Sequence, residues 1–347
     1  MSVVMEERSA PGVWRGGGDC AAVASSLEAG LKIVPEPFLE VARETGVPEG
    51  RVLEIARGMV ASGFIRRFGA FFDFRSFGLK GYLFGAELPG DGAGGVISSV
   101  CRMGCVTHCY ARRHALGLWF TAILGGDGDA RAIGGALRRR GLAFVALDVR
   151  ERIKLCPSFA PPGAEHEPRD VRCGEVQPAR LGARGMAIAR ALQDRFGISN
   201  RPYAEVADAL GMGARGEGVV MDEAARLLEE GVLRRIGASL NHNRAGWMYN
   251  SLTAWDVSHL SESDALSAAR SAVHGRRWAS HCYLRRVIRS NLPCAWPYNL
   301  YIMIHARTEG EMEERERVLS LDLARGQTGN FVSMRTEAEH KKISFMI

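Results

Sequence analysis

The chain has 347 residues, 46% of them apolar and 24% charged, with a formal charge of +6. These are globular proportions with room for two or three cores, and they exclude a disordered chain. No apolar run reaches the ~18 residues that span a bilayer, and the N-terminus lacks a basic end followed by an apolar core, so a cytoplasmic protein with no membrane segment is expected.

Eight cysteines (20, 101, 105, 109, 156, 173, 282 and 294) are too dilute for a disulfide scaffold and are expected as reduced thiols. The positive charge suits an acidic ligand, either nucleic acid or a polycarboxylate.

Residues 1–24, with Gly16-Gly17-Gly18, read as a poorly ordered leader. Over 25–75 the pattern is helix, turn, helix and strand: Phe38, Val41 and Ala42 make one apolar face, Val52, Ile55, Met59 and Val60 a second, Gly63 stops the helix, and Ile65 to Phe72 extends. That order predicts a winged helix-turn-helix. Residues 76–157 then read as strands at Tyr82–Leu88, Val106–Arg112, Leu118–Leu124 and Phe144–Ile153, with helices at Val96–Met103 and Ala130–Arg140. This βαββαβ order is the ferredoxin-like plan. A Pro-rich linker follows at 158–181.

The programme then restarts. Pro202-Tyr203-x-x-Val206-Ala207 repeats Pro37-Phe38-x-x-Val41-Ala42, and Gly231 to Ala238 repeats Gly63 to Ala70. A second winged helix is expected over 182–245 and a second βαββαβ unit over 246–347, with a longer hairpin loop from Val287 to Pro297. The fold class is α+β, an internal duplication of a two-domain unit.

The most telling repeat is Val106-Thr107-His108-Cys109-Tyr110-Ala111-Arg112-Arg113, which returns as Ala279-Ser280-His281-Cys282-Tyr283-Leu284-Arg285-Arg286. On a strand, alternate residues share a face, so His108, Tyr110 and Arg112 point one way, as do His281, Tyr283 and Arg285. An acid/base group, a phenol and a fixed cation on one face suit a carboxylated ligand. The alternative is a sheet with one wet face, which the duplication disfavours.

Two other readings are weaker. Cys101, Cys105 and Cys109 fall four apart beside His108, but the second copy keeps only Cys282, so no dedicated metal site is expected. The second recognition helix, from about Val219 to Glu230, sets Asp222, Glu223, Glu229 and Glu230 against Arg226 alone, which repels phosphate. Specific DNA binding is not expected.

Taken together, Arg66-Arg67-x-Gly69-Ala70, Thr107-His108-x-Tyr110-x-Arg112, Leu118-Trp119-Phe120-Thr121, Leu233-Arg234-Arg235-Ile236-Gly237-Ala238, Ser280-His281-Cys282-Tyr283 and Trp296-Pro297-Tyr298-Asn299-Leu300-Tyr301 resemble the siroheme (sirohaem) decarboxylases. These are Lrp/AsnC-like proteins of two similar subunits, here fused in one polypeptide. The resemblance runs over nearly everything from ~25 to 347 except the linker. In one departure, Tyr298-Asn299-Leu300 stands where the first copy has Leu116-Gly117-Leu118, so the two pockets are expected to differ.

The resemblance implies removal of the C12 and C18 acetate carboxylates of siroheme, giving 12,18-didecarboxysiroheme on the way to heme or d-type heme. It implies no cofactor beyond the iron of the substrate. His108 and His281 are then expected to protonate the nascent carbon, with axial ligation of the substrate iron as their alternative role. Tyr110 and Tyr283 would orient the acid or the acetate. Arg112 and Arg285, with Arg113 and Arg286, would clamp spectator carboxylates, while Trp119, Trp296, Tyr298 and Asn299 would line a slot for the ring.

The competing functions are a ligand-responsive Lrp/AsnC-type regulator and a tetrapyrrole carrier without chemistry. The fusion predicts a pseudo-dimer within one chain and leaves higher oligomers open.

Overall fold

The computed structural model describes residues 17–156, 158–159, 176–323 and 331–347. Helices α2 (Pro37–Thr45) and α3 (Glu49–Ala61) and strand β1 (Ile65–Phe72) form the first winged helix. Pro37 pre-sets the first turn of α2 and Gly46, at φ 72°, ends it in the left-handed region. A further helix, α1 (Gly18–Ala29), precedes them. It overturns the C-terminal part of the expected leader, because Val23, Ala24 and Leu27 are completely buried in the winged-helix core; residues 1–16 lie outside the described residues.

The second half repeats the arrangement with α6 (Ala183–Asp194), α7 (Pro202–Ala209), α8 (Gly216–Glu229) and β6 (Leu233–Leu240). Helix α8 begins three residues before the expected Val219. The two wings pair antiparallel, with Gly69 opposite Gly237. A side chain at Gly237 would strike the carbonyl of Leu27 on α1, and one at Gly69 would meet the Gln193 carbonyl of α6 at 2.9 Å. The repeated Gly-Ala is therefore a close-packing requirement.

Each half then contributes βαββαβ: β2 (Lys80–Ala86), α4 (Ala93–Arg102), β3 (Val106–Arg112), β4 (Leu118–Leu124), α5 (Asp127–Arg139) and β5 (Phe144–Leu155), followed by β7 (Tyr249–Trp255), α9 (Glu262–Val273), β8 (Ala279–Ser290), β9 (Leu300–Ala306), α10 (Glu309–Leu323) and β10 (Phe331–Lys342). The two sheets join edge to edge, β5 with β8 and β10 with β3, and close an eight-stranded barrel. Closure removes the free edges that each half-sheet would otherwise expose.

Helices α4, α5, α9 and α10 cover the outside of the barrel. Leu83, Trp119, Val145 and Leu147 of the first half meet Leu252, Ala254, Tyr301 and Met334 of the second inside it.

Two further expectations change. The hairpin loop shrinks, because Val287 to Ser290 continue β8 and pair with Val145 to Leu147 of the long strand β5. The linker starts as packed chain: Glu28 accepts from the Ser158 hydroxyl and the Phe159 amide, and both residues are buried. Residues 160–175 lie outside the described residues, as does Cys173. Among the described residues no helix is long and apolar enough to cross a membrane.

Candidate functional site

The two octamers occupy β3 and β8, and each carries a bulge at the residue before its histidine. Val106 opposes Ala122 while His108 opposes Thr121; Ala279 opposes Ile304 while His281 opposes Met303. The extra residue re-aims the side chains beyond it. His108, Tyr110 and Arg112 then turn into the barrel beside Thr121 and Trp119, and His281, Tyr283 and Arg285 turn in beside Met303 and Tyr301. Cys109 and Cys282 face outward onto the helix-side cores, and Cys109 shares a hydrogen bond with Cys101. Among the described residues no group of three or more His, Cys, Asp or Glu is placed to hold a metal ion.

The sequence suggested two mirrored pockets; the barrel merges them into one interior. His108 and His281 are close enough there for a charge on one to disfavour a charge on the other. Burial holds both imidazoles at about 3 against an ordinary 6.5. Lys342 and Arg66 add to this at His108, and His108 and Lys342 at His281. The two histidines and Tyr110 and Tyr283 nevertheless keep partly exposed surface, so they border a hollow rather than fill a packed core.

Cations ring that hollow. Arg66 from the wing bonds Glu339, which stands opposite Tyr110 on β10, at 2.6 Å. Lys342, opposite His108, contacts His242 Nδ1 at 3.0 Å, and burial brings its ammonium down to about 8. In the other half Arg152, opposite Tyr283, bonds Asp73 at 3.4 Å, and Arg234 lies close enough to sense both. Asp73 is also held by Arg75 at 2.8 Å, so with Arg112 and Arg285 seven cations stand around two carboxylates, Glu339 and Asp73.

Buried atoms here lack a hydrogen-bond partner: Nε of Arg112, Arg152 and Arg234, Nε and Nη1 of Arg285, Nδ1 of His305, and Oε2 of Glu339, which keeps only a 3.9 Å ion pair with Lys342. Buried donors left unpaired are costly, and their concentration around one hollow marks where an acceptor-rich ligand belongs.

The pseudo-equivalent arginines differ. Each guanidinium carbon lies 4.9 Å over the ring of its own tyrosine. Arg112 Nη1 donates to Met334 O and Thr336 Oγ1, both at 2.9 Å, whereas Arg285 Nε and Nη1 donate to nothing among the described residues.

Four expected ligand contacts lie outside the hollow. Arg113 and Arg286 project to the exterior, paired with Glu337 and Asp148, because they follow the inward arginine by one residue. Trp119 is 1% exposed, donates to Leu116 O at 2.6 Å and lies over Gly85. It is a core plug. Asn299 Oδ1 accepts from Val257 N and secures the start of β9. Trp296 and Tyr298 are partly exposed at the Arg285 end, where the Trp296 indole donates to Tyr301 OH at 2.7 Å.

The sequence reading missed Arg66, Arg234, Arg152, Glu339, Lys342 and the pair His242 and His305. Arg66 and Arg234 stood in a repeated motif, and His305 continues the inward alternation of Tyr301 and Met303, so those three had a signal. Arg152, Glu339 and Lys342 reach the hollow only through pairing between halves, and His242 comes in from the segment after β6 through its contacts with Lys342 and His305.

On the recognition helices the arginines are engaged: Arg51 pairs with Glu54, Arg57 donates to Ile198 O, and Arg226 is held by Glu223 and Glu230.

Comparisons with known proteins agree with this architecture. A family model described as a siroheme decarboxylase NirDL-like HTH domain matches residues 24–66 and 186–234, and one described as an AsnC-like ligand binding domain matches 244–336. The siroheme decarboxylase of Hydrogenobacter thermophilus is 28% identical over 91% of both chains. The siroheme decarboxylase beta subunit of Desulfovibrio desulfuricans is 34% identical over 39% of this chain and 80% of its own. Among solved structures, siroheme decarboxylase NirDL superposes with a TM-score of 0.66 at 22% identity, covering 94% of this chain and 93% of that one, and a second structure holds the same protein with an iron-uroporphyrin III analogue.

Proposed function

The chain belongs to the siroheme decarboxylase family and is a carbon–carbon lyase, and from that premise we propose that it removes the C12 and C18 acetate carboxylates of siroheme, yielding 12,18-didecarboxysiroheme for heme or d-type heme synthesis. The supporting observation is the set of unpaired buried guanidinium donors facing one hollow: a polycarboxylate ring supplies the acceptors they lack.

Each step converts a ring-CH2-COO⁻ and one proton into ring-CH3 and carbon dioxide. The electron pair of the broken bond passes to the methylene carbon, where the macrocycle delocalises it until a proton arrives. His108 and His281 are the proton donors, with Nε2 directed at the substrate, because Nδ1 is engaged by Thr107 at 2.9 Å and by Ser280 at 2.7 Å.

Arg285 grips a carboxylate that does not react, since gripping the departing one would stabilise the ground state. Arg66, Arg152, Arg234 and Lys342 hold others. Tyr110 and Tyr283, beside the histidines with ring centroids 6.3 and 6.2 Å apart, position the acetate. The reaction needs no cofactor beyond the iron the substrate carries.

The test is anaerobic incubation with siroheme followed by mass analysis of the pigment. Loss of two carboxyl groups is expected. A pigment of unchanged mass would leave a carrier or sensor.

A further inference from the structure

Behind the two histidines the halves differ. Ser280 Oγ lies 2.7 Å from His281 Nδ1 and 2.7 Å from Nε2 of a second imidazole, His305, which is buried. In the first half the corresponding hydroxyl, Thr107 Oγ1, lies 2.9 Å from His108 Nδ1 but then meets Thr121 Oγ1 at 2.9 Å. At the position of His305 on the paired strand stands Ile123, so that path ends on an alcohol. The bulges at Thr107 and Ser280 create both paths, yet only the second continues to a titratable group.

Resting on the proposed decarboxylation, we propose that His305 and Ser280 form a proton relay that reloads His281 from behind while the macrocycle covers its front, a device the His108 side lacks. Each decarboxylation consumes one proton, and a flat substrate filling the hollow shields His281 Nε2 from water. The replacing proton has to reach His305 Nδ1, a buried nitrogen with no hydrogen-bond partner among the described residues. His305 Nε2–H passes to Ser280 Oγ, the Ser280 proton moves to His281 Nδ1, and His281 Nε2–H is delivered to the methylene carbon. One proton enters and one leaves; each ring ends neutral in its other tautomer, and exchange with solvent after product release restores the start.

A transfer that never charges a ring suits this surrounding. His305 faces the His242 imidazole (ring centroids 5.9 Å), the Phe159 ring (4.8 Å) and the charges of Lys342, Arg112 and His281. Its backbone carbonyl accepts from Arg315. Burial and these neighbours hold its titration well below the ordinary range, so a stored imidazolium is disfavoured and passage is favoured.

The test compares Ser280→Ala, Ser280→Thr and His305→Ile in the full chain with saturating siroheme, each first checked for pigment binding by absorbance titration. Thr and Ile are the residues the first half carries at these places. Ser280→Ala and His305→Ile are expected to lower kcat by roughly 10- to 100-fold, within the range of general acid–base contributions, with little change in KM and a larger solvent deuterium isotope effect. Ser280→Thr, which keeps a hydroxyl, should recover most of kcat.

The proposal is overturned if His305→Ile matches wild type in kcat and isotope effect, or if Ser280→Thr is as slow as Ser280→Ala. Wild-type turnover is the reference, so its absence would count against the decarboxylation itself rather than the relay.

Discussion

Arg285 holds its guanidinium 4.9 Å over the ring of Tyr283 inside the barrel, 8% exposed, with Nε and Nη1 donating to no atom among the described residues. A cation placed there is stabilised by the ring face but not neutralised. Arg285→Gln should therefore raise the KM for siroheme by roughly 10- to 100-fold, the worth of a charge-assisted hydrogen bond, while the fold gains from losing an unpaired buried charge. Steady-state kinetics and a thermal melt check both parts. An unchanged KM would remove Arg285 from the substrate contacts.

Arg112 should behave differently. It is 3% exposed and ties β3 to Met334 and Thr336 of the other half. Arg112→Ala removes both bonds across the seam that closes the barrel, leaving the Thr336 hydroxyl only its bond to Asn250, and a stability loss of about 1–3 kcal/mol is expected in urea titration.

Replacing either His108 or His281 by Ala should reduce kcat by roughly 10²- to 10⁴-fold. If a variant retains full turnover but shifts the Soret band, its imidazole ligates the substrate iron instead. Mass analysis at partial conversion distinguishes loss of one decarboxylation from loss of both.

Acid should weaken the fold in a defined window. His108 and His281 bind protons at about 6.5 when unfolded but at about 3 when folded. The unfolded chain then takes up protons that the folded chain refuses, so stability is full above pH 6.5 and falls as pH drops towards 3. His242 and His305 act in the same sense. The urea midpoint should be lower at pH 5 than at pH 7, and His108→Gln with His281→Gln should flatten the difference. A polycarboxylate ligand should raise both histidines and cause proton uptake on binding, measurable by calorimetry in buffers of different ionisation enthalpy.

Gly85 tests the core plug. A methyl group there would meet the Trp119 ring at 2.7 Å. Gly85→Ala should cost roughly 1–3 kcal/mol, the usual range for overpacking, and a thermal melt would show it.

Residue order alone determined the duplication, because two stretches written in the same motifs must fold alike. It also determined the alternation that puts His108, Tyr110 and Arg112 on one face, since a strand repeats every two residues. Those are local properties, carried by neighbours in sequence.

What only the tertiary structure decided is which groups meet across the halves. Glu339 reaches Arg66, Lys342 comes opposite His108 and Arg152 opposite Tyr283, while within the second half His305 comes behind Ser280. Strand pairing β10 with β3 and β5 with β8 sets the second and third, the approach of the first wing to β10 sets the first, and a one-residue bulge beside the β8–β9 pairing sets the last. The same closure separates Arg285, left unpaired, from Arg112, absorbed into a seam, although both stand at the same place in the repeated octamer. Edge pairing and bulges depend on the twist and registry of strands far apart in the chain, so no stretch of sequence spells them out.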